Sequence, residues 1–389
     1  MRYPGVECYS FQTKDRRRQE MKPQVKGLDS AEALFVGIDL HKVSWHVTIR
    51  TADVELFSGS VPGKWEMLRM LLQRYRGSCV QVVYEAGCFG FWLHDRLIEY
   101  GVDCIITPPS LIPQESGNRV KTDRKDSRKL AHLLAKGLLK RIFVPNRQEC
   151  YHRQVVRRRR QLIGDRIRVQ NRVKSELRFY GIDLLNPVGK WTKRYVENLS
   201  RFRFEDRFMQ ESFNRLLEQY TFLSGQIEKQ NVLVRELSEM DLYRERVEIL
   251  KSVPGIGTLA AMELLLELQD VVRFRHADQL AAYVGLTPSQ YSSADKIRMG
   301  RITKVGKHSL RALLVQAAWQ LIRKDLAMKE KYEQGKTRFV VEDYYSVMTA
   351  LERIKEVKER LAVVLERQEK GVEAENRLMA ALRIKDHLE

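Results

Sequence analysis

The chain has 389 residues, 43% hydrophobic and 31% charged, which is enough apolar material for two or three domains with their own cores and excludes an intrinsically disordered chain. Lysine and arginine outnumber aspartate and glutamate 69 to 50, a formal charge of +19 that favours a polyanionic partner, nucleic acid first, over an acidic small molecule. No apolar run approaches the roughly 18 residues of a membrane span, and the N-terminus has no signal-like apolar segment, so no membrane partner is expected. The five cysteines, Cys8, Cys79, Cys88, Cys104 and Cys150, form no CxxC pair, which fits a reducing cytosol and a metal, if any, bound by hard oxygen donors.

Residues 1–33 are polar and basic, with Arg16, Arg17 and Arg18 in a row, and read as a mobile arm, either a nucleic-acid contact or a solvated extension. From Leu34 the pattern changes. The run FVGIDL and the alternation of Val43, Trp45, Val47 and Ile49 predict two strands of a hairpin, and Glu55–Gly59 a third. A helix is expected over Trp65–Tyr75, a strand over Val80–Tyr84, a helix over Phe91–Tyr100, a strand over Val102–Thr107 and a helix over Lys125–Leu139. The order βββαβαβα predicts an α/β domain, 34–146, built on a mixed sheet with helices on its faces.

Four acids fall at special places in that order. Asp39 ends the first strand and Glu85 follows the strand through Tyr84. Asp123 and Asp126 stand three apart in the cationic run KTDRKDSRK, where they share one face at a helix start. On that run alone the better reading is helix capping and dipole compensation, worth about 0.3–1 kcal/mol. If the two strands are neighbours, however, all four carboxylates meet in one cleft and repel one another unless cations neutralise them. That arrangement holds a pair of Mg²⁺ ions about 3.5–4 Å apart for phosphoryl displacement.

Further along, 147–249 is expected to form a basic helix and a coiled-coil arm. Tyr151–Tyr180 carries Arg153, Arg157, Arg158, Arg159, Arg160, Arg166, Arg168, Arg172, Lys174 and Arg178 with only Asp165 and Glu176 to pair them. Phosphate contact is therefore favoured over salt-bridge lacing. Residues 181–206 read as a connection. Phe213, Leu216, Tyr220, Leu223, Ile227, Val234 and Leu237 recur at helical spacing, interrupted by Gln230, which fits oligomerisation or intramolecular packing equally. At Leu250 a small, mainly helical domain, 250–323, begins. Pro254, Gly255 and Gly257 make a tight turn between apolar helices, like a helix-hairpin-helix element or an ordinary turn. Ser292 and Ser293 precede Lys296, Arg298, Arg301, Lys304 and Lys307, and on composition alone are turn or cap residues. Val347, Leu351, Ile354, Leu361 and Leu365 mark a charged helical tail, 324–389.

GIDLHK, YEAG and KTDRKDSRKLAHLLAKG together resemble the N-terminal domain of the insertion-sequence-110 family of transposases. That resemblance implies a RuvC-like, ribonuclease-H-like fold with a DEDD metal site, Asp39, Glu85, Asp123 and Asp126 being the match, and two Mg²⁺ ions as cofactor. The stretch GLTPSQYSSADKIRMGR resembles the family's C-terminal motif, which implies that Ser292 is the nucleophile that links to DNA, the metal site being supplied by another protomer. The family's Gly-Gly after the serines is here Ala294-Asp295, which removes backbone freedom and adds a negative charge. The likeness spans about residues 34–323. It implies a homo-oligomer, dimer or tetramer, and a guide (bridge) RNA that pairs with donor and target DNA. Expected nucleic-acid contacts are Lys121, Arg124, Lys125, Arg157, Arg158, Arg159, Arg160, Lys296, Arg298, Arg301 and Lys304. The alternatives are a metal-only junction-resolving nuclease and a non-catalytic nucleic-acid-binding copy.

Overall fold

The computed structural model describes residues 33–113, 122–183, 191–293 except 272 and 275, 296–330 except 328, and the single positions 333 and 363. Lys121, the pair Ala294-Asp295, the basic arm up to residue 32 and the apolar stripe of the tail lie outside the described residues. The chain divides into two compact units, Met1–Val144 and Pro145–Glu389.

The first unit follows the predicted order. It comprises β1 (Ala33–Leu40), β2 (Ser44–Arg50), β3 (Glu55–Pro62), α1 (Trp65–Gln73), β4 (Cys79–Glu85), α2 (Trp92–Glu99), β5 (Asp103–Thr107), a single 3-10 turn at Pro109–Leu111, and α3 (Asp123–Ala135). The five strands form one sheet in the order β3-β2-β1-β4-β5, antiparallel across β3, β2 and β1 and parallel from β1 through β5. The topology agrees with the ribonuclease-H-like fold.

Strand alternation sorts the side chains onto two faces. Leu34, Val36 and Ile38 of β1, with Val82 and Tyr84 of β4 and Cys104 and Ile106 of β5, pack with Leu68, Leu71, Leu93 and Leu97 of α1 and α2. The residues between them, Phe35, Val83 and Ile105, pack with Leu130, Leu133 and Leu134 of α3. Gly37 lies on this second face directly under α3, where an added Cβ would stand 2.2 Å from the Ser127 carbonyl oxygen and 2.5 Å from the Ala131 nitrogen. Only glycine permits so close a crossing, and the crossing carries the start of α3 to the end of β1.

A buried polar chain fixes the same contact. Ser127, fully buried, has its hydroxyl 2.8 Å from His46 Nδ1 and 2.9 Å from Thr48 Oγ1, and Thr48 lies 3.1 Å from Ser58 Oγ. In so apolar a setting each such bond is expensive to leave unmade, so the chain locks α3 in register over β2 and β3.

The second unit comprises α4 (Arg147–Phe179), α5 (Lys193–Arg201), α6 (Arg207–Ser238), α7 (Arg244–Lys251), α8 (Thr258–Leu268), α9 (Ala277–Val284), β6 (Pro288–Ser293), β7 (Lys296–Ile302) and α10 (His308–Lys324). A full capping box at Asn146 and Glu149 starts α4. The predicted connection over 181–206 contains α5, whose Tyr195 and Leu199 bury against Phe213 of α6 and Val173 and Leu177 of α4. The seam read from periodicity in α6 packs on α4 of the same chain: Phe213 lies near the end of α4, while Gln230 donates to the Val155 carbonyl near its start, so the two helices run antiparallel. The interruption at Gln230 is thus a cross-helix hydrogen bond. Gly255, with φ at +97°, forms the α7–α8 turn, and an added Cβ would stand 2.7 Å from Gln320 Cβ of α10.

Candidate metal centre and serine hairpin

The four acids stand on elements of the first unit. Ile38 of β1 pairs with Tyr84 of β4, so Asp39 and Glu85 are the next residues along two adjacent parallel strands. Both share the parity of Gly37 and Val83, which places them on the α3 face. Asp123 is the first residue of α3, and the cap is Thr122, whose side chain accepts from the Lys125 amide. Asp123 is therefore not needed as a cap.

Asp39 and Asp123 come together, with His41 between them. His41 Nε2 donates to Asp39 Oδ2 at 3.1 Å and lies 3.4 Å from Asp123 Oδ1, and one ligand atom from each of the three falls within 4.8 Å of the others. Glu85 and Asp126 lie outside that trio, although the Asp126 charge is felt at Asp39. Burial pushes the Asp39 carboxyl above its ordinary range, the charge and hydrogen bond of His41 pull it part of the way back, and the charges of Asp123 and Asp126 push it up again. His46, register partner of Asp39 on the same face, is pushed down by burial and by the Arg124 charge.

Two observations test whether a divalent cation fits. The donor set is dominated by carboxylates whose mutual repulsion a cation would relieve. Beside Glu85, its register partner Thr107 on β5 is fully buried, and the Thr107 hydroxyl makes no hydrogen bond within the protein. An orphaned buried hydroxyl costs about 1–3 kcal/mol, and here it stands at the register position of Glu85, one of the four predicted ligands. Thr107→Val, which keeps the shape and deletes the hydroxyl, is expected to raise the melting temperature of the metal-free protein, by about 1 kcal/mol of stability, and to weaken Mn²⁺ binding in calorimetry. A fall in melting temperature would contradict this.

Ser292 and Ser293 lie in β6 of a two-stranded hairpin, where composition alone suggested a turn or cap. Ser292 is exposed and its hydroxyl accepts a hydrogen bond from Gln290 Nε2 at 2.8 Å. Lys296 opens β7, Arg298 faces Tyr291 across the hairpin, and Arg298, Arg301 and Lys304 are exposed.

The arginines of α4 divide into two kinds. Arg157 donates twice to Glu267 of α8, at 2.8 and 2.9 Å, and Arg160 donates to Glu263 at 2.6 Å. Arg159 donates to Asn231 of α6 at 2.6 Å. The acids that α4 lacks are supplied by α8, so these guanidinium groups are engaged inside the fold. Arg158 faces outward, as do Arg124 and Lys125 at the start of α3. Sequence reading passed over Glu263 and Glu267, and the signal was there: two glutamates four apart in the otherwise apolar MELLLEL demand buried cations.

A family model described as Transposase IS116/IS110/IS902 family matches residues 247–333, and a DEDD transposase model of the IS110 type matches residues 36–182. The chain is 26% identical to the transposase for insertion sequence element IS1533 of Leptospira borgpetersenii, over 74% of this chain and 85% of that protein. It is 25% identical to the transposase for insertion sequence element IS1111A of Coxiella burnetii, over 80% and 81% of the two chains. The transposase for insertion sequence element IS1328 of Yersinia enterocolitica is 26% identical, over 73% and 82%. Among the described residues no helix is long and apolar enough to cross a membrane.

Proposed function

This chain belongs to the IS110 family of transposases, enzymes that cleave and recombine DNA, and we propose that it divides the work between an acidic metal site in its first unit and a serine in its second. Asp39, Glu85, Asp123 and Asp126 are the residues that would hold Mg²⁺, and Ser292 is the nucleophile. The observation that carries the reading is the meeting of Asp39 and Asp123 within ligand-sharing distance on the face of the sheet where Glu85 also stands.

When bound, a divalent ion supplies charge stabilisation to the phosphate oxygens and orients the phosphodiester. The chain does the rest. As the Ser292 Oγ–phosphorus bond forms, one phosphorus–oxygen bond to a sugar breaks; the serine gives up its proton and the departing sugar oxygen gains one. The phosphoester on serine keeps the bond energy of the backbone, so a second DNA end can reverse the step and complete an exchange without ATP. Gln290 steadies the serine hydroxyl, while Arg298 and Arg301 on β7 offer positive charge to the phosphate. The outward-facing Arg124, Lys125 and Arg158 and the charge of +19 support binding of DNA and of a structured guide RNA, in an oligomer that brings one copy's serine to another's acids.

The test is a denaturing gel of the full chain incubated with donor and target DNA and with the RNA that copurifies with it. A protein–DNA adduct is expected in Mg²⁺, absent in EDTA and absent in Ser292→Ala. An adduct that survives Ser292→Ala but not Ser293→Ala moves the role to Ser293. Free cut ends without adduct would replace this reading by the metal-only nuclease, and binding without any product by the non-catalytic one.

A further inference from the structure

His41 is the one member of the trio at the acid site that the four-carboxylate reading does not use. It stands two residues after Asp39, just beyond the end of β1, and its backbone amide bonds to the Ser44 carbonyl at 3.2 Å, which fixes the turn into β2. The imidazole is half exposed, and its Nε2 lies 3.1 Å from Asp39 Oδ2 and 3.4 Å from Asp123 Oδ1. Six-coordinate ions of the Mg²⁺ and Mn²⁺ size take donors at about 2.1 Å, so neighbouring donors stand about 3.0 Å apart. The nitrogen has the separation of neighbouring ligands, and it becomes one when the hydrogen it shares with Asp39 is given up and the other ring nitrogen carries the proton.

We propose that His41 Nε2 is a metal ligand, which makes this a mixed nitrogen and oxygen site that prefers Mn²⁺ over Mg²⁺ more strongly than carboxylates alone would; the proposal rests on the metal reading above. Imidazole favours the transition ions, whereas Mg²⁺ gains little from exchanging an oxygen for a nitrogen. The rival role for His41 is that of a stand-in, a hydrogen-bonding side chain that bridges Asp39 and Asp123 and must leave when the ion arrives. The two roles predict opposite signs. Loss of a ligand weakens Mn²⁺ binding, while loss of a competitor strengthens it.

The experiment is Mn²⁺ binding to the full chain, by calorimetry and by electron spin echo envelope modulation of the bound ion, in wild type, His41→Ala and Asp39→Asn. The wild type is expected to show modulation from a directly bound ¹⁴N, replaced by the ¹⁵N pattern on ¹⁵N-histidine labelling. In His41→Ala that modulation disappears, Mn²⁺ affinity falls about tenfold or more, and Mg²⁺ affinity falls less. Wild-type Mn²⁺ bound in an Asp39-dependent way without nitrogen modulation, or bound more tightly by His41→Ala, overturns the His41 proposal and leaves the acid site standing. Mn²⁺ binding indifferent to Asp39→Asn overturns both.

Discussion

Asp39→Asn is expected to remove Mg²⁺-dependent strand cleavage, with a rate loss on the order of 10³-fold or more, while the protein stays folded. Asp39 is the least exposed of the trio, its side chain 20% accessible against 50% for His41 and 62% for Asp123, and it stands beside the strand end that carries Glu85. An ion held there offers several kcal/mol of transition-state charge stabilisation, and each 1.36 kcal/mol is tenfold in rate. The amide has the carboxylate's shape without its charge. Because burial and neighbouring acids already raise the Asp39 carboxyl, the substitution should leave the metal-free melting temperature unchanged or slightly higher. A cleavage time course and a thermal melt on the same preparation check both halves. Near-normal cleavage by Asp39→Asn would remove the acid site from the reaction.

Glu267→Gln is expected to cause the largest loss of stability, about 3–5 kcal/mol, seen as a fall in melting temperature on the order of 10 °C. The Glu267 side chain is 1% exposed and accepts from Arg157 and from Lys307 Nζ, the latter at 2.7 Å, with Arg160 3.5 Å away. Lys307 also donates to the Glu267 carbonyl, tying the start of α10 to the last turn of α8. Burial pushes this carboxyl up, but the hydrogen bonds and charges of Arg157 and Lys307 outweigh burial and hold it at about 2. Its stabilising contribution is therefore complete above its ordinary pKa of 4.5 and is lost as pH falls towards about 2. The variant should melt with a flatter acid limb than wild type. A loss below about 1 kcal/mol would mean that the cations find water or other partners without Glu267.

Most of the first unit could be read from residues alone, because its strands are short, alternate cleanly and lie between amphipathic helices. The parity that puts Val36 and Ile38 under one pair of helices and Phe35 and Gly37 under α3 is visible in FVGIDL itself. The places of the acids, two strand ends and a helix start, were readable for the same reason, and of the four it is Asp39 and Asp123 that meet. The place of His41 was not readable, since a histidine after a strand is usually a solvated turn residue and only the folded chain brings the Asp123 side chain next to it. The second unit was less legible. Counting acids along α4 suggested free guanidinium groups, whereas Glu263 and Glu267 approach from about a hundred residues further on. The hairpin that carries Ser292 was hidden by its polarity, since an exposed two-stranded ribbon lacks the apolar face that advertises a strand.

The division of labour between acids and serine is tested most directly by finding the atom that carries the DNA. Wild-type protein is incubated with its DNA and copurifying RNA in Mg²⁺, the mixture is digested with nuclease and protease, and the nucleotide-bearing peptide is sequenced by mass spectrometry. The account predicts a nucleotide on Ser292, present in Mg²⁺ and missing both in EDTA and in Asp39→Asn. A nucleotide on any residue outside the β6 serine pair, or one that forms equally in EDTA, would contradict it.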